Sequence, residues 1–257
     1  MAKSKKDRKR ELEVRGRKAE LIVIGGGDGT ISKALPQLLK LGKPFAVLPL
    51  GVSLILSSCE WTRSRQPKSP SGRKHRIDVG LANGHPYLNV ASVGIASRVA
   101  ARQSKDLKQK WRVLAYTIAL LRSVRDLKPF FVQLDLDSSP TWSGWVYQVS
   151  VGNGRYHGGG LKVAEDAAID DGKLDLYLIY PGRLWQLATS LIHLKFGISE
   201  PAVLKRLTAV SVSLRTYRPR PVDADGELVT KTPTQFELHP KALTEIVPHK
   251  RPLDSSI

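Results

Sequence analysis

Two short runs in this 257-residue chain put glycines and carboxylates where phosphate chemistry could take place. Gly25-Gly-Gly-Asp-Gly-Thr30 lies between an apolar run and a segment of helical periodicity. A glycine-rich turn there leaves backbone N–H groups unobstructed and aims the positive end of a helix dipole at its occupant, so phosphate is the expected ligand. Glycines alone would also suit a tight packing turn. Asp28, inside the loop, adds a carboxylate able to orient a hydroxyl or a hydrated metal ion. The second run, Asp223-Ala-Asp-Gly-Glu227, follows Arg218-Pro-Arg-Pro-Val222 and on its own reads equally well as a hairpin turn. Ile169-Asp-Asp-Gly172 has the composition of a turn before a strand. Gly152-Asn-Gly154 and Gly158-Gly-Gly160 flank Arg155, Tyr156 and His157 and read as the rim of a site, with His157 a rim or core residue rather than a catalyst.

The elements that must carry these runs fall into two patterns. Leu21-Ile-Val-Ile24 is a continuous apolar run, expected to be a strand covered on both faces of a parallel sheet. After the glycine loop, Ile31, Ala34, Leu35, Leu38 and Leu39 share one helical face, with Pro36 expected to kink or shorten that helix. Phe45-Ala-Val-Leu48, ended by Pro49-Leu-Gly51, completes a βαβ unit. Residues 52–76, apolar from Val52 to Leu56 but with no period of 2 or 3.6 from Ser57 to His75, read as an irregular loop. Beyond them the pattern alternates: Ile77–Gly80, Tyr87–Ala91, Phe131–Asp137, Val146–Val151, Leu174–Ile179, Ala209–Leu214 and Thr234–Leu238 are expected strands of an antiparallel sandwich or barrel. Leu107–Leu127 and Leu184–Leu194 are expected amphipathic helices.

Composition bounds what such a protein can be. One cysteine, Cys59, excludes an intrachain disulfide. The longest apolar run, Val113 to Leu121, is too short to cross a bilayer, and no apolar h-region follows the basic N-terminus, so a cytoplasmic location is the default expectation. The net charge of +18 favours an acidic partner: nucleic acid, anionic headgroups or nucleotides. Met1–Glu20 holds nine Lys or Arg against four acids, and Trp61–Ile77 holds six and no acid. A soluble surface with a basic arm would explain the same numbers.

The Gly-Gly-Asp-Gly-Thr loop resembles the signature shared by diacylglycerol kinases, sphingosine kinases and NAD kinases. Tyr87-Leu-Asn-Val-Ala-Ser-Val-Gly94, Val151–Gly160, Ala168–Asp175 and Asp223-Ala-Asp-Gly-Glu227 are similar, in order, to the bacterial diacylglycerol kinase/lipid kinase family, and the NAD kinases lack this set. The resemblance implies an α/β plus β fold of two lobes. The first is an incomplete Rossmann-like α/β lobe at 21–80, and the second an antiparallel β-sandwich lobe at 81–242. A basic arm at 1–20 precedes them, and a tail at 243–257 follows, able to return to the first lobe. Ligands are expected in a cleft between the lobes. It further implies ATP-dependent, Mg²⁺-assisted phosphoryl transfer to a lipid hydroxyl such as that of diacylglycerol, at an anionic membrane surface. ATP binding is carried over to Gly26, Gly27, Asp28, Gly29, Thr30, Ile31, Ser32 and Val52. The general base is Glu227, which suits the task if partial burial raises its pKa, with Asp225 supporting it or approaching the metal. The metal would be held by the Asp171 carboxylate and the carbonyls of Ala168 and Lys173, an all-oxygen set suited to a hard cation.

The chain departs from the family pattern in three places. Val52-Ser-Leu-Ile55 stands where the family follows Pro-Leu-Gly with Thr, a small residue, Asn and Asp. Ser32-Lys33 replaces the usual Asn-Glu. A strand–helix–strand unit of about 30 residues is absent before the loop, so the resemblance implies an N-terminally truncated lobe. Matching sequence stops after Gly51 and resumes near Arg76 with its spacing kept, the pattern that two compensating frameshifts would leave. Two other functions follow from these facts: a catalytically impaired homologue or fragment, and a basic nucleic-acid-binding module. The latter lacks any reader motif, so no specific nucleic-acid partner is expected. A homodimer is left open.

Overall fold

The computed structural model describes residues 12–49, 72–95, 128–137, 139–153, 156–157, 161–162, 171–181 and 204–248. The expected helices at 107–127 and 184–194 lie outside them, as do residues 1–11, most of the altered stretch after Gly51, and Val52 and Ala168. The chain divides into two compact units, one of residues 1–77 and 241–257, the other of residues 78–240.

In the first unit, β1 (Ile22–Gly26) and β2 (Phe45–Pro49) pair in parallel, with Ile22 opposite Phe45 and Gly26 opposite Pro49. Between them runs α1 (Asp28–Leu41), whose Ile31, Leu35 and Leu38 are all fully buried. Their spacing makes the stripe that packs this helix on the sheet. Gly42 closes it in the left-handed region at φ 61°, its N–H donating to the Leu38 carbonyl at 3.0 Å. Pro36 does not shorten the helix, which continues for five residues beyond it. Three buried aliphatic side chains, each worth about 1.5–3 kcal/mol, outweigh the roughly 3 kcal/mol that an interior proline costs.

The strand at 22–26 differs from the sequence reading. Ile22 and Ile24 are buried but Val23 is 54% exposed, so β1 alternates and only one face is covered. Leu48 on β2 is likewise exposed. Residues 72–76, expected in a loop, belong instead to β3 (Gly72–Ala82). Arg73, Lys74 and Arg76 in that stretch are exposed, so it carries no apolar signal and is defined by its pairing with a neighbouring strand.

The second unit is an antiparallel β-sandwich. Its strands in chain order are β3, which enters it at Asp78 from the first unit, β4 (His85–Tyr87), β5 (Val90–Gly94), β6 (Phe130–Leu136), β7 (Ser139–Val146), β8 (Gln148–Gly152), the short pair β9 (Tyr156–His157) and β10 (Leu161–Lys162), and β11 (Leu174–Ile179). They continue with β12 (Leu204–Ala209), β13 (Ser211–Thr216), β14 (Pro221–Ala224), β15 (Glu227–Lys231) and β16 (Thr234–Pro248), the last passing from this unit into the first. One sheet runs β16-β13-β6-β7, with β3 on β16 and β4 on β3; the other runs β12-β11-β8-β5-β14-β15. Val132, Leu134, Val212, Leu214 and Phe236 of the first meet Ala91, Val93, Val149, Leu176 and Val222 of the second in one buried core. These alternate positions are the inward faces of the expected strands.

Three expected strands are broken in two. The run 87–91 bends at Leu88–Asn89, 146–151 at Tyr147, and 209–214 at Val210. Two of the bends are held by carboxylates. Asp225 accepts the N–H groups of Leu88 and Asn89, and Asp137 accepts that of Val210.

Candidate active site

The glycine loop is the junction of β1 and α1. A Cβ on Gly26 would stand 2.5 Å from Thr30 Oγ1 and 2.7 Å from Thr30 Cβ, so only glycine fits. Gly27 caps the helix with extended backbone and no side-chain bond. Its carbonyl accepts the N–H groups of Thr30 at 2.8 Å and Ile31 at 3.3 Å. Gly29 is different: a Cβ there would meet nothing within 4 Å among the described residues. Packing does not demand this glycine, although it costs the helix up to about 1 kcal/mol relative to alanine. Its effect is to leave clear space over the positive helix end, the setting for an anion. Thr30 is exposed and Asp28 and Ser32 are partly so, whereas the Ile31 side chain is fully buried in the core. Of the eight residues carried over for ATP, seven therefore cluster on this turn, Ile31 with only its backbone available, and Val52 lies outside the described residues.

The second run forms the β14–β15 hairpin. Asp225 and Gly226 make its two-residue turn, both at positive φ (49° and 86°), which is the geometry an Asp-Gly pair favours. The Asp225 carboxylate accepts the N–H groups of Leu88 at 2.9 Å, Asn89 at 3.0 Å and Val90 at 3.2 Å, while its own N–H donates to the Val90 carbonyl at 2.9 Å. Three amide donors fix this side chain to the start of β5. Glu227 opens β15 and is exposed. Asp223 is buried at 5% exposure; its Oδ1 accepts the Gly226 N–H at 3.3 Å, and its Oδ2 has no hydrogen-bond partner among the described residues. Burial pushes the Asp223 carboxyl up to about 7, the Gly226 N–H opposing the shift and the charges of Asp225 and Glu227 adding to it. One hairpin thus holds a carboxyl poised near neutrality, a carboxylate fixed by amides, and an exposed glutamate.

Asp223 belongs to a polar row that the sequence did not disclose. The register sets Asp223 beside Ser92, Ser92 beside Ser150, and Ser150 beside Tyr177, and all four are buried. Ser92 and Ser150 hydroxyls lie 3.4 Å apart, and Gln148 Nε2 donates to Ser150 Oγ at 2.7 Å. Alternation shows that these residues point away from the apolar core. Only tertiary structure shows that this second face is also buried.

At the metal-loop residues, Asp171 is exposed and its Oδ1 accepts the Lys173 N–H at 3.0 Å. The Gly172 N–H donates to Asp78 Oδ2 at 2.9 Å, and Asp78 is buried. Asn153, of the Gly152-Asn-Gly154 run, donates through Nδ2 to the carbonyls of Asp78 at 2.8 Å and Leu88 at 3.2 Å, and through its N–H to Asn89 at 2.8 Å. A chain of hydrogen bonds therefore joins Asp225, the 88–90 bend, Asn153, Asp78 and the 171–173 turn. It brings the residues of three separate sequence runs into one network. Asp175, two residues past the turn, is buried and paired with Arg206 (Nε 3.0 Å, Nη2 2.9 Å). Burial raises its pKa, and the Arg206 hydrogen bond and charge oppose that rise. The described residues contain no cluster of three or more His, Cys, Asp or Glu for a metal. The donors at 171–173, one carboxylate and backbone carbonyls, are all oxygen and suit a hard divalent cation. His157 lies on the short β9, paired with Leu161, and its side chain is outside the described set.

Known proteins resemble this chain in both units. Residues 2–66 match the diacylglycerol kinase catalytic domain, and residues 89–247 match the YegS C-terminal NAD kinase beta sandwich-like domain. A probable lipid kinase YegS-like protein of Pseudomonas fluorescens (strain Pf0-1) is 31% identical over 91% of this chain and 78% of its own length. That of Pseudomonas syringae pv. syringae (strain B728a) is 30% identical over 90% and 77%. A solved structure from Bacillus anthracis str. Sterne superposes with a TM-score of 0.77 at 24% identity, covering 96% of this chain and 84% of the other. A second from that organism, a diacylglycerol kinase, gives 0.67 at 21%, covering 96% and 83%. These two bear on the fold. Fold and domain matches define the class, a kinase-type chain with a diacylglycerol kinase catalytic region followed by an NAD kinase-like β-sandwich. Within that class, the chain belongs to the YegS-like lipid kinase family.

Proposed function

We propose that this protein transfers the γ-phosphoryl group of ATP to a lipid hydroxyl, such as that of diacylglycerol. The family implies ATP use, generally with a divalent metal. In this reading the amides of Gly26–Thr30 and the N-terminus of α1 receive nucleotide phosphates. Glu227 accepts the proton of the lipid hydroxyl, whose oxygen then bonds the γ-phosphorus as the bond to the bridging oxygen breaks and ADP leaves. Asp225 is a positioning residue. Its carboxylate, bound by three amides, fixes the turn from which Glu227 projects. Asp171, with the carbonyls of Ala168 and Lys173, would hold Mg²⁺, which when bound supplies positive charge and stiffness to a turn already tied by Asp78 to the Asp225 network. No described helix is long and apolar enough to cross a membrane. In this reading, because ATP and lipid must meet, the protein acts from the cytoplasm at the inner face of the membrane.

The observation that carries this reading is the Asp225–Gly226 turn beside Glu227 in a chain of this family. The test is transfer of label from γ-radiolabelled ATP to a mixed lipid extract, with Glu227→Ala alongside. Label in lipid with the parent chain and none with the variant is expected. A parent chain that binds ATP without transferring label would instead establish the impaired homologue, which the Val52-Ser-Leu-Ile55 run favours.

A further inference from the structure

The outward face of the β13-β6-β7 sheet has two chemically different ends. Over most of its length it is polar, as a water-facing strand side should be: Gln133, Asp135, Ser143, Thr141, Ser213. At one end it is aromatic. Phe131 and Trp145 are directly paired across β6 and β7, their rings meeting edge to face at 5.9 Å and 73°, yet they remain 42% and 57% exposed. Tyr217 leaves β13 one residue past the Thr216–Val132 pair and is 91% exposed. Single exposed aromatics need no explanation, but three at one sheet end mark an interaction surface.

The charges follow the same axis. Lys128, at the approach to β6, and Arg218, in the turn after β13, are exposed at the aromatic end, and Arg215 on β13 is exposed opposite Gln133, two residues in from it. Among the described residues, the acids of this face, Asp135, Asp137 and Glu237, lie at or beyond the fourth residue along the strands from the aromatic row, about 13–20 Å away. Asp135 pairs with Arg215 at 3.3 Å and so offsets one of these cations. Trp and Tyr rings such as Trp145 and Tyr217, apolar in body and polar at the tip, settle at headgroup depth, an apolar ring such as Phe131 adds buried area, cations beside them meet anionic headgroups, and acids are best kept away. We propose that this aromatic end of the sandwich docks on the headgroup layer of an anionic lipid bilayer. This rests on the lipid-kinase reading above, since such an enzyme must meet its acceptor at a membrane.

The test is flotation of the full chain with vesicles of phosphatidylcholine plus phosphatidylglycerol and with phosphatidylcholine alone. The variants are Phe131→Ser/Trp145→Ser/Tyr217→Ser and, as a conservative second, Trp145→Phe. The parent chain floats with anionic vesicles, the triple variant loses at least about tenfold in partition, and Trp145→Phe loses the vesicle-induced blue shift of tryptophan emission. Phosphorylation of a dispersed short-chain diacylglycerol stays at the parent level in the triple variant, because none of the three residues belongs to the candidate active site. Undiminished flotation of the triple variant, or an unchanged blue shift in Trp145→Phe, overturns the docking surface. A parent dimer that the triple mutation dissolves while flotation persists overturns it too, assigning the face to a second copy. A parent chain that floats but never phosphorylates the short-chain lipid removes the kinase reading and leaves the surface standing.

Discussion

Replacing Asp223 by asparagine should stabilise this protein, and only above the acid range. The carboxyl is 5% exposed, one of its oxygens has no hydrogen-bond partner among the described residues, and its pKa rises from 3.8 to about 7. A raised carboxyl pKa means that the folded state holds the proton more tightly than the unfolded one. Below pH 3.8 both states are protonated and no penalty exists. Between pH 3.8 and 7 the unfolded chain ionises first, so stability falls as pH rises, and above 7 the full penalty is present. A shift of about three units corresponds to about 4 kcal/mol. Asparagine carries no charge at any pH, so the variant escapes that penalty. Its new amide would stand where Oδ2 now lies unpartnered, at a cost of about 1–3 kcal/mol that does not vary with pH. The quantity to measure is therefore the slope of the stability difference. Urea unfolding of both proteins at pH 4.5, 6, 7.5 and 8.5 should show the variant gaining about 1.4 kcal/mol per pH unit on the parent up to a plateau near pH 7. Groups elsewhere titrate equally in both and cancel. A difference that stays flat from pH 4.5 to 8.5 would refute the reasoning, because Asp223 would then ionise alike folded and unfolded.

Four further outcomes follow from the same geometry. Gly29→Ala should raise the stability of α1 by up to about 1 kcal/mol while raising the KM for ATP, since open space at the helix end is what the glycine provides; a higher melting temperature with unchanged KM would deny it a ligand role. Asp225→Ala strands three amide donors and should destabilise the fold by about 3 kcal/mol or more. Glu227→Gln, at an exposed position, should shift stability by under about 0.5 kcal/mol yet lower kcat at least about a hundredfold; chemical denaturation and a coupled kinase assay separate the two. Arg206→Leu leaves the buried Asp175 carboxylate unpaired and should cost about 3 kcal/mol at pH 8, a loss that shrinks in acid as Asp175 protonates; a pH-independent loss would point to packing alone.

Residues a few positions apart already decide part of this protein. The Ile31/Leu35/Leu38 stripe makes α1, and the glycine loop must sit between β1 and that helix because its steric needs are local: a Cβ at Gly26 would strike Thr30 four residues on. Asp225-Gly226 likewise dictates a two-residue hairpin through its own positive φ angles. Alternation gave the inward faces of the sandwich strands for the same reason, since a strand's sidedness has a period of two. What the sequence did not contain was the partner of each polar group. Asp225 grips Leu88–Val90 across 135–137 residues, Asn153 reaches Asp78 across 75, and Asp78 holds Gly172 across 94. Such pairings exist only once two sheets have set their registers. The breaks at Leu88–Asn89 and Val210 come from carboxylates distant in sequence, so no local pattern announced them. Nor could alternation tell that the face bearing Asp223, Ser92 and Ser150 is buried rather than wet, because it reports which side a residue faces and not what covers that side. That burial moves the Asp223 carboxyl toward neutrality, and it was decided by the tertiary structure alone.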